Sequence, residues 1–146
     1  PVIREGLVVL HNGIVVNDDE LWLGLDKARQ FQIDSEIIAA IASDVLEKTS
    51  DPLAISGEVL SRCKGVVACA IAIPSLGKLC LFSNNGSLYV GKKSNAIYFS
   101  SERYPLAEIF CDEIRQIKNE GLVIDIQISV NISSCVCFSS PLSYIA

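Results

Sequence analysis

The stretch GVVACAIAI, Gly65–Ile73, decides which kind of fold this sequence forms. All nine residues are apolar or glycine, without the polar alternation of a strand that has one solvated face. A turn signal at residues 75–78 and the strand-like KLCLFSNN follow, which predicts an antiparallel hairpin. Strands that are covered on both faces and joined by hairpins indicate stacked sheets with helices outside them.

The sequence downstream of this hairpin is also rich in strand patterns. SLYVGKKSNAIYFSS predicts two strands joined across residues 91–94, and ERYPLAEIF predicts a short helix. EIRQIKNEGLVIDIQI predicts a further hairpin around residues 119–121. Residues 129–146 predict one more strand and a loose end. The expected strands of the whole chain are 6–10, 66–73, 78–83, 87–91, 95–100, 114–118 and 122–128.

The sequence upstream predicts one strand and then helices. GLVVL at 6–10 is the strand, with residues 14–16 as a candidate continuation. Asn17 and Asp18 are N-cap candidates for a helix at about 18–30, and Asp34 stands just before a second helix at 35–48. Asp51 and Pro52 are suited to open a short third helix. We expect the first two helices to pack together on one outer face, which gives one layered α+β domain.

Composition excludes several classes of function. The net charge of the 146 residues is −5, which argues against general nucleic-acid binding and against an electrostatic membrane anchor. No apolar run approaches the roughly 20 residues that span a bilayer. The sequence contains no phosphate-binding glycine motif, and no pattern predicts a metal or another cofactor.

The six cysteines are not spaced as a zinc or C-x-x-C motif, and most lie in apolar runs. They are interpreted as buried free thiols of a cytoplasmic protein. The alternative is a disulfide or redox pair at Cys135 and Cys137, which point to the same face of a strand.

Asn12 and Gly13 follow the first strand directly and allow two interpretations. One is a turn or β-bulge, because both residue types tolerate positive φ. A hairpin partner is missing, however, since a helix follows at once. The other interpretation is chemical: an Asn side-chain N–H beside a Gly backbone N–H provides two donors, as an oxyanion hole requires.

A family resemblance supports the chemical interpretation. HNGIVVNDDELW, QIDSEIIAAI, KGVVACAIAI, the segment from NNGSLYVG to PLAEI, and KNEGLVIDI occur in the order found in class II glutamine amidotransferases. The match is closest to the glutaminase domains of glucosamine-6-phosphate synthases and covers most of residues 7–128. It implies the four-layer αββα sandwich of N-terminal-nucleophile hydrolases.

The resemblance also implies roles for three residues. Asn12 and Gly13 match the oxyanion-hole pair, and Asp34 matches the carboxylate that binds the α-amino group of L-glutamine. A helix N-cap is the alternative role of Asp34, and the two roles are compatible. His11 is expected to serve packing. The implied activity is hydrolysis of L-glutamine to glutamate and ammonia, with transfer of the ammonia to an acceptor.

The family's nucleophilic N-terminal Cys and its Arg-Trp-Ala-Thr motif have no counterpart in this sequence, where residue 1 is Pro. The expectation is therefore a domain that is incomplete at its N-terminus and that pairs with a missing segment or partner chain, forms a homo-oligomer, or is rearranged. Two further hypotheses stay open: a catalytically dead binding or assembly module, and catalysis by the Pro1 amine.

Overall fold

Two five-stranded antiparallel sheets form the centre of the computed structural model, which describes residues 1–129 and 137–139. The first sheet has the order β1-β2-β3-β4-β8, formed by Val2–Arg4, Leu7–Val15, Gly65–Ile73, Lys78–Ser83 and Glu120–Asp125. The second has the order β7-β5-β6-β10-β9, formed by Asp112–Gln116, Tyr89–Lys93, Ala96–Ser100, Cys137–Ser139 and Gln127–Ser129. An apolar core between the sheets includes Ala68, Leu81, Val90 and Ile124.

Helices α2 (Ser35–Thr49) and α3 (Pro52–Arg62) pack on the other face of the first sheet. Fully buried Ile residues of α2 and α3 form a second apolar core with β3 and β4. The side chain of Asp51 accepts the backbone N–H of Leu53 and caps α3, as its sequence predicted. The predicted second and third helices are therefore confirmed, and α3 is the main neighbour of α2.

The first predicted helix is wrong in its extent. Helix α1 covers only Asp18–Leu23, and the chain leaves it at Gly24, whose N–H is donated to the Leu21 carbonyl. The backbone N–H groups of Gln30 and Phe31 are bound by the buried carboxylate of Glu36, which holds that segment as a loop. A side chain from α2 thus decides the structure where a helical pattern predicted otherwise.

The hairpin predicted around residues 119–121 is also wrong. Strand β7 pairs with β5 in the second sheet, and β8 pairs with β4 in the first. Buried Ile117 donates its N–H to Leu88, just before β5 of the second sheet, and Asn119 donates its N–H to Ser83 of β4 in the first sheet. The chain therefore crosses between the sheets at the point where the glycine-containing turn predicted a hairpin.

Helix α4 (Arg103–Glu108) supplies the outer helical element of the second sheet. Val90 points to the inter-sheet core, so its neighbour Gly91 faces the other side of the second sheet. On that side a Cβ at Gly91 would lie 2.8 Å from the Cβ of Cys111, which follows α4 closely in the chain. The order of layers is therefore helix, sheet, sheet, helix, the expected αββα arrangement. The residues predicted as a tail lie outside the described part, apart from Ser129 and the residues of β10.

Strand β2 continues through the His-Asn-Gly segment instead of ending before it. Asn12 pairs with Ala68 and Gly13 with Val67 in unbroken antiparallel register. The interpretation of Asn12–Gly13 as a turn or β-bulge is therefore wrong, because β3 provides a regular partner from Val8 to Val15. None of the helices in the described ranges is long and apolar enough to cross a membrane.

Candidate active site

One edge of β2 is open next to the His-Asn-Gly segment. Strand β3 pairs with β2 from Val8 to Val15 on one side. On the other side β1 pairs only with residues 7–9. Within the described sheet, residues 11–15 therefore present one edge that has no strand partner, and unpaired backbone groups of this kind bind ligands or additional strands.

Asp34 lies at this open edge. Its Oδ2 accepts the backbone N–H of Val15 over 2.7 Å, and its Oδ1 accepts the Ser35 hydroxyl over 3.2 Å. The Asp34 side chain makes no capping bond to the helix that follows. A carboxylate has about four acceptor sites, so two remain for a ligand. The expected N-cap bond is thus replaced by a bond that joins the helix layer to β2.

The backbone N–H of Gly13 points to the same edge. Val16 donates its N–H toward the β3 side, to Lys64, whereas Val15 donates to Asp34. Because N–H groups alternate between the two sides of a strand, Gly13 shares the direction of Val15. The two positions are about 7 Å apart along the strand at roughly 3.4 Å per residue. The structure thus brings Gly13 and Asp34 together.

Gly13 is required by the backbone at this position. Its φ is +149°, and a Cβ there would lie 1.9 Å from the carbonyl oxygen of Val66. A real side chain would displace β3 or distort β2. The glycine therefore allows the two strands to approach closely while its own N–H stays at the open edge.

The side chain of Asn12 faces the space between the sheets. It lines a cavity of about 220 Å³ together with Pro1, Ser87 and Ser100, among others. Asp34 is not among the residues that line this cavity. The Asn12 side chain thus faces this cavity, whereas the Asp34 carboxylate is bound at the edge of β2, at Val15. Pro1 is exposed where it lines the cavity.

His11 and Ser35 connect the strand to the helix layer. His11 Nδ1 lies 2.9 Å from Ser35 Oγ, and Nε2 lies 3.2 Å from the carbonyl oxygen of Val66. This is consistent with the packing role expected for His11. Ser35 was not singled out from the sequence, although it stands in the Asp-Ser-Glu segment that carries the family resemblance.

Glu36, the third residue of that segment, is fully buried and structural. Its carboxylate pairs with Arg4 Nη1 at 2.5 Å and also accepts the N–H groups of Gln30 and Phe31. The Arg4 guanidinium lies over the ring of Trp22 at 5.5 Å from its centroid. Charge-assisted bonds of this kind tie β1 and the loop before α2 to the start of that helix. The site is therefore built on a buried ion pair.

Four cysteines lie in the part of the chain whose side chains are described, and all are free thiols, as predicted. Burial raises the pKa of Cys63 to about 11 and that of Cys80 to about 12, and it also raises the pKa of Cys69. Neutral thiols are poor nucleophiles. The suggested pair at Cys135 and Cys137 falls outside the described side chains. No group of three metal-binding residue types forms a metal site in the described ranges.

Solved structures define the class of this fold. The glutamine phosphoribosylpyrophosphate amidotransferase from B. subtilis, complexed with ADP and GMP, superposes with a TM-score of 0.64 at 21% identity, covering 85% of this chain and 28% of that one. A structure described as the allosteric regulatory enzyme of purine biosynthesis gives a TM-score of 0.63, also at 21% identity, covering 82% of this chain and 26% of that one. The chain therefore has the amidotransferase fold of N-terminal-nucleophile type.

Sequence comparison supplies the family. A family model described as "Glutamine amidotransferase domain" matches residues 1–108. The glutamine–fructose-6-phosphate aminotransferase [isomerizing] of Tropheryma whipplei is 28% identical over 124 residues, 82% of this chain and 20% of the relative. That of Brucella abortus is 30% identical over 123 residues, again 82% of this chain and 20% of the relative. This chain belongs to the class II glutamine amidotransferase domain family, and it spans about a fifth of the length of these relatives.

Proposed function

We propose that this domain hydrolyses L-glutamine to glutamate and ammonia, which is passed to an acceptor. The observation that carries the proposal is the shared open edge of β2. There the Asp34 carboxylate is bound to the N–H of Val15, two residues along the strand from the Gly13 N–H. An extended glutamine separates its side-chain carbonyl from its α-ammonium by roughly 5–7 Å, by ordinary bond lengths. One glutamine molecule therefore fits between the two groups.

In this proposal Asp34 binds the α-ammonium and Gly13 stabilises the oxyanion. A carboxylate that meets an ammonium at a partly buried site forms a strong charge-assisted bond. The Gly13 N–H is held by the strand, so it needs no reorganisation when negative charge develops on the amide oxygen. Asn12 is the second proposed donor, and its side chain must reach around the strand edge for the two donors to converge.

The attacking thiolate is proposed to come from outside the described residues. The described cysteines are unsuitable, because desolvation raises the pKa of all four thiols, Cys63, Cys69, Cys80 and Cys111. A further segment or partner chain, or a second copy in a homo-oligomer, would supply it next to the open edge of β2. Long-lived free thiols are typical of reducing compartments, which supports the cytoplasmic location that we propose.

A second candidate function is a binding or assembly module without chemistry. The observation in its favour is the same set of buried cysteines, combined with an intact Asp34 edge. Such a module would bind glutamine, or a partner that bears an ammonium group, and release no ammonia. Binding and hydrolysis must therefore be measured separately.

Titration of the full 146-residue chain with L-glutamine, followed by amide NMR, tests the binding site. We expect the Gly13 and Val15 amides to shift, and Asp34→Asn to weaken binding by about tenfold or more, because a charged partner is lost. The matched control is Asp26→Asn, an exposed aspartate. Binding that Asp34→Asn leaves unchanged would remove Asp34 from the site. Ammonia release by the full-length protein then separates the enzyme from the module.

A further inference from the structure

Three side chains form one hydrogen-bonded path to the proposed substrate clamp. His11 Nδ1 lies 2.9 Å from Ser35 Oγ, and Ser35 Oγ lies 3.2 Å from Asp34 Oδ1. At the other end of the path, His11 Nε2 lies 3.2 Å from the carbonyl oxygen of Val66. Asp34 Oδ2 is bound separately by the Val15 N–H.

The protons carried by His11 and Ser35 determine which hydrogen bonds this path can form. The Val66 carbonyl only accepts, so the Nε2 of His11 must carry a proton. In the neutral imidazole, Nδ1 is then an acceptor and takes the single hydroxyl proton of Ser35. In the imidazolium, Nδ1 is a donor to Ser35 Oγ, and the hydroxyl proton of Ser35 goes to Asp34 Oδ1. Ser35 cannot donate to both neighbours at once.

We propose that His11 is a positioning residue that, through the hydroxyl of Ser35, decides whether one acceptor site of Asp34 Oδ1 is used within the protein or is left for a ligand ammonium. When His11 is neutral, both acceptor sites of Oδ1 are open to a ligand. When His11 is charged, Ser35 takes one of them and weakens the other, and the added positive charge also repels an ammonium. Ligand binding therefore weakens as His11 takes up its second proton. The ligand part of the inference rests on the proposed function, whereas the coupling between the three side chains does not.

Other groups that face His11 come from three elements. Cys69 of β3 is its direct partner in register, and burial raises the pKa of that thiol, so it stays neutral near neutral pH. The helix α2 begins at Ser35 and directs its positive dipole end toward the pair formed by His11 and Asp34. Pro1, which carries an amine, lines the same cavity as His11. Asp34 is the anionic group of the path itself.

NMR of the full chain tests the coupling without any ligand, because this sequence contains a single histidine. We expect the two imidazole nitrogens of His11 to report the Nε2–H tautomer at high pH. We also expect the Val15 amide to shift with the same midpoint as the imidazole. Ser35→Ala should abolish the response of Val15, and Ser35→Thr, which keeps the hydroxyl, should retain it. Ser35→Gly provides a second hydroxyl-free variant should Ser35→Ala be poorly folded.

A Val15 response that persists in both hydroxyl-free variants would overturn the coupling, since it would then act through space and not through Ser35. The second readout is the affinity for L-glutamine across the titration of His11. We expect the affinity for glutamine to fall by about tenfold when His11 is protonated, the size expected when a hydrogen bond to a charged group is lost. In the Ser35→Ala variant the affinity should fall less. Intact coupling without glutamine binding at any pH would reject the proposed function alone. Intact coupling with pH-independent binding would reject the positioning role of His11.

Discussion

The carboxylate of Asp34 accepts the backbone N–H of Val15 over 2.7 Å and thereby joins the start of α2 to the open edge of β2. The two residues are 19 positions apart in the sequence. Asp34 precedes its helix as an N-cap would, yet its side chain binds a strand. A residue that local sequence assigns to helix capping is therefore part of the layer contact that forms the candidate site.

Gly13→Ala should destabilise the protein by about 2–5 kcal/mol, since a Cβ would overlap the Val66 carbonyl in a backbone conformation that side chains avoid. Urea unfolding followed by circular dichroism measures the change. The control is Gly57→Ala in α3, where nothing lies within 4 Å of the new Cβ and stability should rise by up to about 1 kcal/mol. Equal effects of the two substitutions would contradict the close approach of β2 and β3.

Asn12→Ala should lower the kcat of glutamine hydrolysis by on the order of 10²–10³ in the protein that carries its nucleophile, as loss of one oxyanion donor does elsewhere. KM should change little, because the bond strengthens only in the transition state. Ammonia release under saturating glutamine is the measurement, and Asn95→Ala, at an exposed turn position, is the control. A kcat within twofold of the parent would exclude Asn12 from the oxyanion site.

Glu36→Gln should cost about 3–5 kcal/mol of unfolding free energy, because the buried Arg4 guanidinium loses its fully buried anion and keeps only the partly exposed Glu5. The amide group of Gln would also face donors, the N–H groups of Gln30 and Phe31. Glu20→Gln is the control, because Glu20 pairs with Lys64 on the exposed surface, where an ion pair contributes little. The ion pair would not organise the site if both variants unfolded at the same urea concentration.

Stability under reducing conditions should fall as the pH rises above about 9. The unfolded chain loses its thiol protons near the ordinary pKa of 9.0, whereas burial keeps those of Cys63 and Cys80 bound up to about 11 and about 12. The raised pKa values of the folded state therefore contribute stability that is fully present while the pH is below the pKa of the unfolded thiols. As the pH rises from that pKa toward the higher pKa of the folded thiols, this contribution to stability is lost.

The unfolding midpoint in urea, compared between about pH 8 and about pH 10.5, measures this loss. In Cys80→Ala the unfolding midpoint should decline less steeply with pH than in the parent, whatever the effect of the substitution on stability at neutral pH. The same slope in parent and variant would show that other groups, such as lysines and tyrosines, cause the alkaline decline.

Local chemistry was sufficient to predict much of this fold. Asp51 and Pro52 open α3 because a cap and a first-turn proline act within one helical turn. The strands β3 and β4 form the predicted hairpin because the turn between them joins two adjacent apolar runs. Two of the wrong predictions are the extent of α1 and the hairpin at 119–121. There the backbone N–H groups are taken by side-chain or strand partners, the carboxylate of Glu36 five residues beyond Phe31 and the carbonyl of Ser83 in another strand.

The sequence by itself determined the layer pattern, the family resemblance and the candidates Asn12, Gly13 and Asp34, because each depends on residue types in short segments and on the order of those segments. Only the tertiary structure decided that Asn12 and Gly13 lie within a strand and that β7 and β8 belong to different sheets. It alone decided that Asp34 and the Gly13 N–H share one edge, whereas the Asn12 side chain faces the inter-sheet cavity. The physical reason is that strand pairing and the direction of edge N–H groups depend on partners far away in the chain, which no local pattern encodes.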